Sequence, residues 1–194
     1  MKKYIREFLG ENPIENSEYP RIINEKHFER LEKLLINENI LFGGKVDKES
    51  LKIEPTLLDD SKINSPIMNE EIFGPIFPII SFENIDGVIE LVNSKEKPLA
   101  LYLFTNNKKV EDRILKEISF GGGCINDTIM HLASENLPFG GVGNSGMGAY
   151  HGKYGFDTFT HYKSILRKYN FFDLPMRYHK YTDENLKVVK KFLK

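Results

Sequence analysis

Apolar side chains recur along this chain at helical spacing in some stretches and run together in others, and the alternation outlines its elements. Tyr4, Ile5, Phe8 and Leu9 stand at helical intervals, so the chain is expected to open in an amphipathic helix, although no capping residue precedes it. Residues 24–36 predict a second helix with Phe28, Leu31, Leu34 and Leu35 on one face. A short apolar run at 40–42 is followed by Gly43-Gly44, and residues 51–58 read as a strand. Residues 76–82 are rich in branched and aromatic side chains and predict a strand, with Pro78 pointing to an edge or a bend. Ile85, Val88, Ile89 and Val92 fit a helix. Residues 99–104 form a near-continuous apolar strand of the kind found in a covered parallel sheet. Asn106 or Asn107 can cap the next helix, striped by Val110, Ile114, Leu115 and Ile118, and Cys124-Ile125-Asn126 reads as a short third strand. The order β-α-β-α-β predicts the α/β class: a parallel sheet with flanking helices and right-handed crossovers.

Beyond Asn126 the periodicity fades. Residues 137–155 hold seven glycines in nineteen positions, the composition of a long ordered loop or of disorder, and such loops are usually functional when ordered. Residues 158–167 predict a further strand, and Leu186, Val189, Phe192 and Leu193 among lysines predict a short terminal helix.

Composition narrows the function classes. The 194 residues suffice for one compact domain, with 40% hydrophobic and 28% charged side chains. Twenty-seven basic against 28 acidic residues leave a net charge of −1, so nothing global draws the chain to nucleic acid or an anionic membrane. Arg6 and Glu7 interrupt any apolar leader, and the longest apolar runs, at 76–80 and 99–104, are far too short to span a bilayer. A cytoplasmic domain is expected. The single cysteine, Cys124, excludes an intrachain disulfide and a multi-cysteine metal site.

Open parallel sheets bind ligands beyond the carboxyl ends of their strands, which places the expected site between residues 104–107, 126–131 and 137–151. Gly141-Val142-Gly143-Asn144-Ser145-Gly146 has the spacing of a dinucleotide fingerprint. The fingerprint needs a strand before it and a helix after it, and neither is written in the flanking residues. A glycine-rich loop closing around a substrate or nicotinamide pocket fits better. Cys124 follows three glycines and is read as a small buried hydrophobe at the start of a strand. Glu70, Glu71 and Phe73 precede a strand; a solvated turn accounts for them, as does a carboxylate that accepts ribose hydroxyls beside a ring that packs on nicotinamide. His151 and His161 have no carboxylate or cysteine at ligand spacing, so no metal site is expected.

Longer motifs then carry a resemblance. Glu70-Glu71-Ile72-Phe73-Gly74-Pro75, Lys97-Pro98-Leu99-Ala100-Leu101-Tyr102, Gly122-Gly123-Cys124-Ile125-Asn126-Asp127, Leu137-Pro138-Phe139-Gly140-Gly141-Val142-Gly143-Asn144-Ser145-Gly146-Met147-Gly148, Tyr150-His151-Gly152-Lys153 and Phe156-Asp157-Thr158-Phe159-Thr160-His161 resemble, in order, motifs of class 3 aldehyde dehydrogenases, and specifically their C-terminal portion. The resemblance implies NAD(P)-dependent oxidation of an aldehyde to a carboxylate: a cysteine thiolate attacks the aldehyde, hydride passes to NAD or NADP, and an activated water releases the acid. It implies that Glu71 and Phe73 contact the nicotinamide ribose end of the cofactor, that Phe139, Tyr150 and His151 border the aldehyde pocket, that Asn126 fixes the loop before it, and that 158–167 extends a sheet across a dimer. Residues 1–157 would then belong to the catalytic domain, 158–167 to an oligomerisation strand and 168–194 to a tail.

The family's nucleophile, general-base glutamate, oxyanion asparagine and cofactor domain have no counterpart among the matched motifs, and Cys124 matches a different position. The isolated chain is therefore expected to be a fragment or split portion without turnover, completed by a missing N-terminal half or a homodimer partner. The alternative is a non-catalytic partner or remnant that docks on an aldehyde dehydrogenase subunit. An unrelated small-molecule-binding α/β domain would require the order of six motifs to be coincidence.

Overall fold

Asn24 starts the helix around which the first half of the chain is built. Its side chain accepts a hydrogen bond from the His27 amide at 2.9 Å, satisfying one of the free donors at the helix start. In the computed structural model, which describes residues 1–59, 63–174, 177–179 and 182–193, the helices of this half are α1 (Lys2–Leu9) and α2 (Glu25–Leu34). Helix α1 buries none of its residues, and Tyr4 and Phe8 stack on one exposed face with centroids 6.0 Å apart. The strands that follow are β1 (Ile40–Phe42), β2 (Val46–Asp47), β3 (Lys52–Ile53), β4 (Thr56–Asp59) and β5 (Ile76–Ile79). Next come α3 (Ile85–Asn93), β6 (Ala100–Leu103), α4 (Lys108–Glu117) and β7 (Gly122–Ile125), then α5 (Gly152–Thr158) and α6 (Asp183–Phe192).

The chain divides into two compact units, one comprising Met1–Lys97 with Thr105–Ser119 and the other Pro98–Phe104 with Phe120–Lys194. In the first unit, Phe28, Leu31 and Leu34 of α2 meet Ile53, Leu58, Ile67 and Ile76 in one buried cluster. Strand β4 is the centre of a three-stranded sheet, antiparallel to β1 and parallel to β5. Strands β2 and β3 form a separate antiparallel pair. The expected strand over 51–58 is thus broken at Glu54-Pro55, and its halves join different sheets. Pro78 lies opposite Leu58 on the edge strand β5, where a residue without an amide donor costs no interior ladder bond. Helices α3 and α4 are capped by Asn84 and Asn107 and joined by Arg113, whose guanidinium reaches Asp86 at 2.7 Å and Glu117 at 2.8 Å.

In the second unit, β6 and β7 pair in parallel, with Tyr102 opposite Cys124. Strand β7 begins two residues before the stretch expected from sequence, because its glycines take part in the ladder. A Cβ on Gly123 would sit on the carbonyl oxygen of Leu101, so the close approach of the two strands needs glycine there. The single parallel sheet expected across 76–126 is not formed among the described residues: β5 pairs with β4, β6 pairs with β7, and the two pairs belong to different sheets.

Residues 158–167, expected as a strand, form none. Thr158 closes α5, and the stretch that follows takes no ladder bonds among the described residues. A strand exists only where another backbone receives its donors and acceptors. The terminal helix forms as α6, capped by Thr182, while residues 175, 176, 180, 181 and 194 of the tail lie outside the described residues.

Tyr19 ties the segment before α2 to β3. Its hydroxyl donates to the Ile53 carbonyl at 2.7 Å, and burial, aided by the negative charge of Glu54, pushes its pKa up to about 12. An unfolded tyrosine titrates near 10, so this stabilisation is complete below about pH 10 and is lost as pH rises through the folded value. The urea midpoint should fall more steeply between about pH 10 and 12 in the wild type than in Tyr19→Phe, which starts about 1 kcal/mol less stable. Parallel decline of the two would refute this account.

Candidate functional site

Two sets of residues carry the chemistry, one in each unit. In the first, a 3-10 turn at Pro66–Met68 buries Ile67 in the core and leads into Asn69-Glu70-Glu71-Ile72-Phe73-Gly74, just before β5. Ile72 packs against the core from the partly buried side. Phe73 has a φ of 46° and is 85% exposed, so its ring stands out from the turn. Glu71 is also exposed. The turn is held from α2 by Arg30, whose Nη2 donates to the Ile72 carbonyl at 2.6 Å, while Nη1 reaches the Glu71 carbonyl at 3.3 Å and the Glu70 carboxylate at 3.2 Å. An exposed carboxylate beside an exposed ring, on a backbone held from behind, suits a polar ligand with a flat apolar part.

In the second unit the chain leaves β7 at Asn126, in the left-handed region at φ 57°, with its amide donating to the Leu103 carbonyl at 2.8 Å. Asparagine adopts this conformation more readily than most residues. The chain then turns through Met130–Leu132 and brings His131 onto the face of the sheet that holds Tyr102 and Cys124. His131 is buried. Its Nδ1 lies 3.7 Å from the Cys124 sulfur, and its ring lies 5.7 Å from those of both Tyr102 and Phe139. Phe139 and Tyr150 exchange both backbone hydrogen bonds at 3.0 Å, and their rings meet edge to face at 5.5 Å. The His151 ring lies tilted against that of Tyr150, with centroids 4.3 Å apart, and its Nδ1 lies 3.1 Å from the Ser134 carbonyl.

Between Phe139 and Tyr150 the glycine-rich stretch is an ordered loop. Ser145 Oγ accepts from the Val142 amide at 2.9 Å and donates to the Val142 carbonyl at 3.0 Å. A Cβ on Gly140 would collide with the backbone of Gly148, so the arms of the loop close only without a side chain. A cavity of about 340 Å³ beside it is lined by Leu99, Phe139, Met147, Tyr150 and Phe159, among others. The G-x-G-x-x-G spacing is no dinucleotide fingerprint: the residues before it make only the isolated Phe139–Tyr150 bridge, and a 3-10 turn at Gly143–Ser145 occupies the motif itself.

The structure brings Phe139, Tyr150 and His151 together and places Asn126 where the loop begins. Of the three segments expected at the strand ends, the chain leaving β6 and the chain leaving β7 lie side by side there, with the Asn126 amide on the Leu103 carbonyl, whereas Gly140 and Gly141 of the glycine loop pack against Gly121, at the amino end of β7. The chain after β7 runs back across the sheet, a path that periodicity does not encode. Tyr102, His131 and Arg30 were missing from the sequence-based set. For Tyr102 and His131 the available signal was their nearness to Cys124 through strand register and a short loop; for Arg30 there was none. His161 is exposed, and no group of three or more metal-ligating side chains occurs among the described residues.

A sequence profile described as the aldehyde dehydrogenase family matches residues 1–165. Aldehyde dehydrogenase family 3 member H1 of Arabidopsis thaliana is 47% identical over 194 residues, covering 98% of this chain and 40% of that protein. The 4,4'-diaponeurosporen-aldehyde dehydrogenase of Staphylococcus aureus is 53% identical over 170 residues, covering 87% of this chain and 37% of that protein. Among solved structures, the substrate-bound state of Staphylococcus aureus AldH superposes with a TM-score of 0.84 at 48% identity, covering all of this chain and 42% of that one. This α/β chain belongs to the aldehyde dehydrogenase family. Several of its relatives carry the family 3 name, and the chain spans about 40% of the length of those it matches. The family match covers residues 1–165 of the 194, and it shows the family without showing the C-terminal portion of it that the motifs led us to expect.

The left-handed turn at Asn126 gives a direct test. Asn126→Ala should cost about 1–2 kcal/mol, because a Cβ without a local polar group is strained at this φ. Asn126→Gly should cost clearly less, read as urea midpoints of the purified chain. Equal losses would mean that side-chain contacts, and not backbone conformation, govern the position.

Proposed function

We propose that this chain is part of an NAD(P)-dependent aldehyde dehydrogenase. In this reading Glu71 and Phe73 meet the nicotinamide end of the cofactor, and Phe139, Tyr150 and His151 form a wall of the aldehyde channel. The observation that carries it is the closure of the glycine loop by the Phe139–Tyr150 bridge, which joins three expected pocket residues in one aromatic cluster. Family membership supports the reaction class, and relatives named as NADP-preferring support a nicotinamide cofactor.

The residues present fit the ribose end of such a cofactor. Glu71 offers acceptors for sugar hydroxyls, and Phe73 offers a flat face. The cofactor supplies the hydride chemistry when bound. The chain's own residues orient it at one end and shape the approach of the aldehyde.

The nucleophile is assigned to a part of the enzyme outside these 194 residues. Cys124 lies within a strand, with its sulfur against a buried histidine, and is given a packing role. A segment around residues 158–167 is proposed to meet a second subunit, in a cytoplasmic enzyme. The second reading, a non-catalytic partner docking on a dehydrogenase subunit, is favoured by the exposed apolar side chains of Phe159, Ile165, Leu166 and Phe171.

The isolated chain should form no reduced nicotinamide with NAD or NADP and a panel of aldehydes. The two contacts at Glu71 and Phe73 cannot offset the freedom lost on binding, about 4–15 kcal/mol. Turnover that survives repurification and vanishes in Cys124→Ser would return the nucleophile to this chain. In the complete enzyme, Phe139→Ala should lower kcat/KM for aromatic and long aliphatic aldehydes by about 10–200-fold and for acetaldehyde much less. An equal loss for all would remove Phe139 from the channel.

A further inference from the structure

Arg30 and Leu31 are neighbours on α2, and between them they fix both ends of one turn. The Leu31 side chain is fully buried and lies so close to Gly74 that a Cβ there would come within 2.6 Å of it. Arg30 reaches the other end. One planar guanidinium engages three consecutive residues: the carboxylate of Glu70 at 3.2 Å, the carbonyl of Glu71 at 3.3 Å and the carbonyl of Ile72 at 2.6 Å. The ion pair with Glu70 is half-exposed, with side chains 27% and 44% accessible, so it adds little by itself. The two carbonyl bonds fix the successive peptide units on either side of Ile72.

We propose that Arg30 is a positioning residue for the cofactor contact: it clamps the backbone of Glu71 and Ile72 so that the Glu71 carboxylate and the Phe73 ring are presented in one place. It acts through the turn and does not itself touch the cofactor. The proposal rests on the assignment of Glu71 and Phe73 made above. Phe73 shows why a clamp is needed. An aromatic residue at φ 46° is held in a left-handed conformation that side chains disfavour, so the turn has competing arrangements unless something outside it selects one. Arginine suits the task because its fork presents several donors in fixed directions, whereas lysine offers a point charge on a flexible stem. A glutamine at 30 keeps part of the stem and loses the reach and the fork.

The first arm of the test uses the 194-residue chain. A glutamate-specific protease should cut after Glu70 and Glu71 faster in Arg30→Gln than in wild type, by about 10-fold, with Arg30→Lys between them and cleavage after Glu11 and Glu96 unchanged. The second arm uses the complete enzyme. Arg30→Gln should raise KM for NAD or NADP by about 10–100-fold, leave KM for the aldehyde within about 2-fold, and be partly rescued by Arg30→Lys. In a Glu71→Gln, Phe73→Ala background the same substitution should have little further effect, since the residue acts through those two. A loss of cofactor affinity in Glu71→Gln with none in Arg30→Gln would overturn the clamp alone. No change in either would overturn the Glu71 assignment and the clamp with it. Should Arg30→Gln fail to fold, Arg30→Lys carries both arms, and wild-type cleavage and wild-type cofactor KM in that variant would sink the proposal.

Discussion

The packing of α2 against the strands of the first unit is the contact on which that unit depends. Phe28, Leu31 and Leu34 lie on one face of one helix, while Ile53, Leu58, Ile67 and Ile76 come from β3, β4, the 3-10 turn and β5. Each buried side chain of this size contributes about 1.5–3 kcal/mol, and none of the four outlying elements could bury its residue without the helix. The same contact sets the geometry of the turn before β5. With Leu31 fixed in the core, Arg30 emerges beside the turn that carries Glu71 and Phe73, and Ile67 and Ile72 anchor that turn from beneath.

The second unit is organised differently. Its described strands form a single parallel pair, and the loops around them are held by glycines at close backbone approaches, by the Phe139–Tyr150 bridge and by a row of rings from Tyr102 through His131 and Phe139 to His151. Many of its aromatic and branched side chains are exposed, among them Phe159, Leu166 and Phe171. Phe159 and Leu166 lie within residues 158–167, a stretch with strand composition that takes no ladder bonds among the described residues.

Local features were legible where the physics is local. Asn107 caps α4 as expected from its place before the apolar stripe, and Asn24 and Asn84, not singled out in the sequence, cap α2 and α3 in the same way. The stripes of α2, α3 and α4 were readable from spacing, and Pro78 on an edge strand follows from its missing donor. The glycine loop was readable as a loop, since glycines dominate where backbones approach one another. Sheet membership was not readable. Whether β5 pairs with β6 depends on a neighbour distant in sequence, and an apolar run is the same run in either sheet. The break at Glu54-Pro55 was hidden by the apolar residues around it.

The sequence by itself determined the helices and their caps, the existence of short apolar strands, and the family through long ordered motifs. Through those motifs it also carried the proposal that Glu71 and Phe73 meet a cofactor and that Phe139, Tyr150 and His151 border an aldehyde pocket. Tertiary structure alone decided which of these meet. It returned the chain across β6 and β7 to place His131 between Tyr102 and Phe139, divided the strands among separate sheets, and put Arg30 against two carbonyls 41 and 42 residues away. The reason is physical: caps and stripes are read within one or two helical turns, whereas ring packing and carbonyl clamps join segments that share no local signal and meet only when the chain has closed on itself.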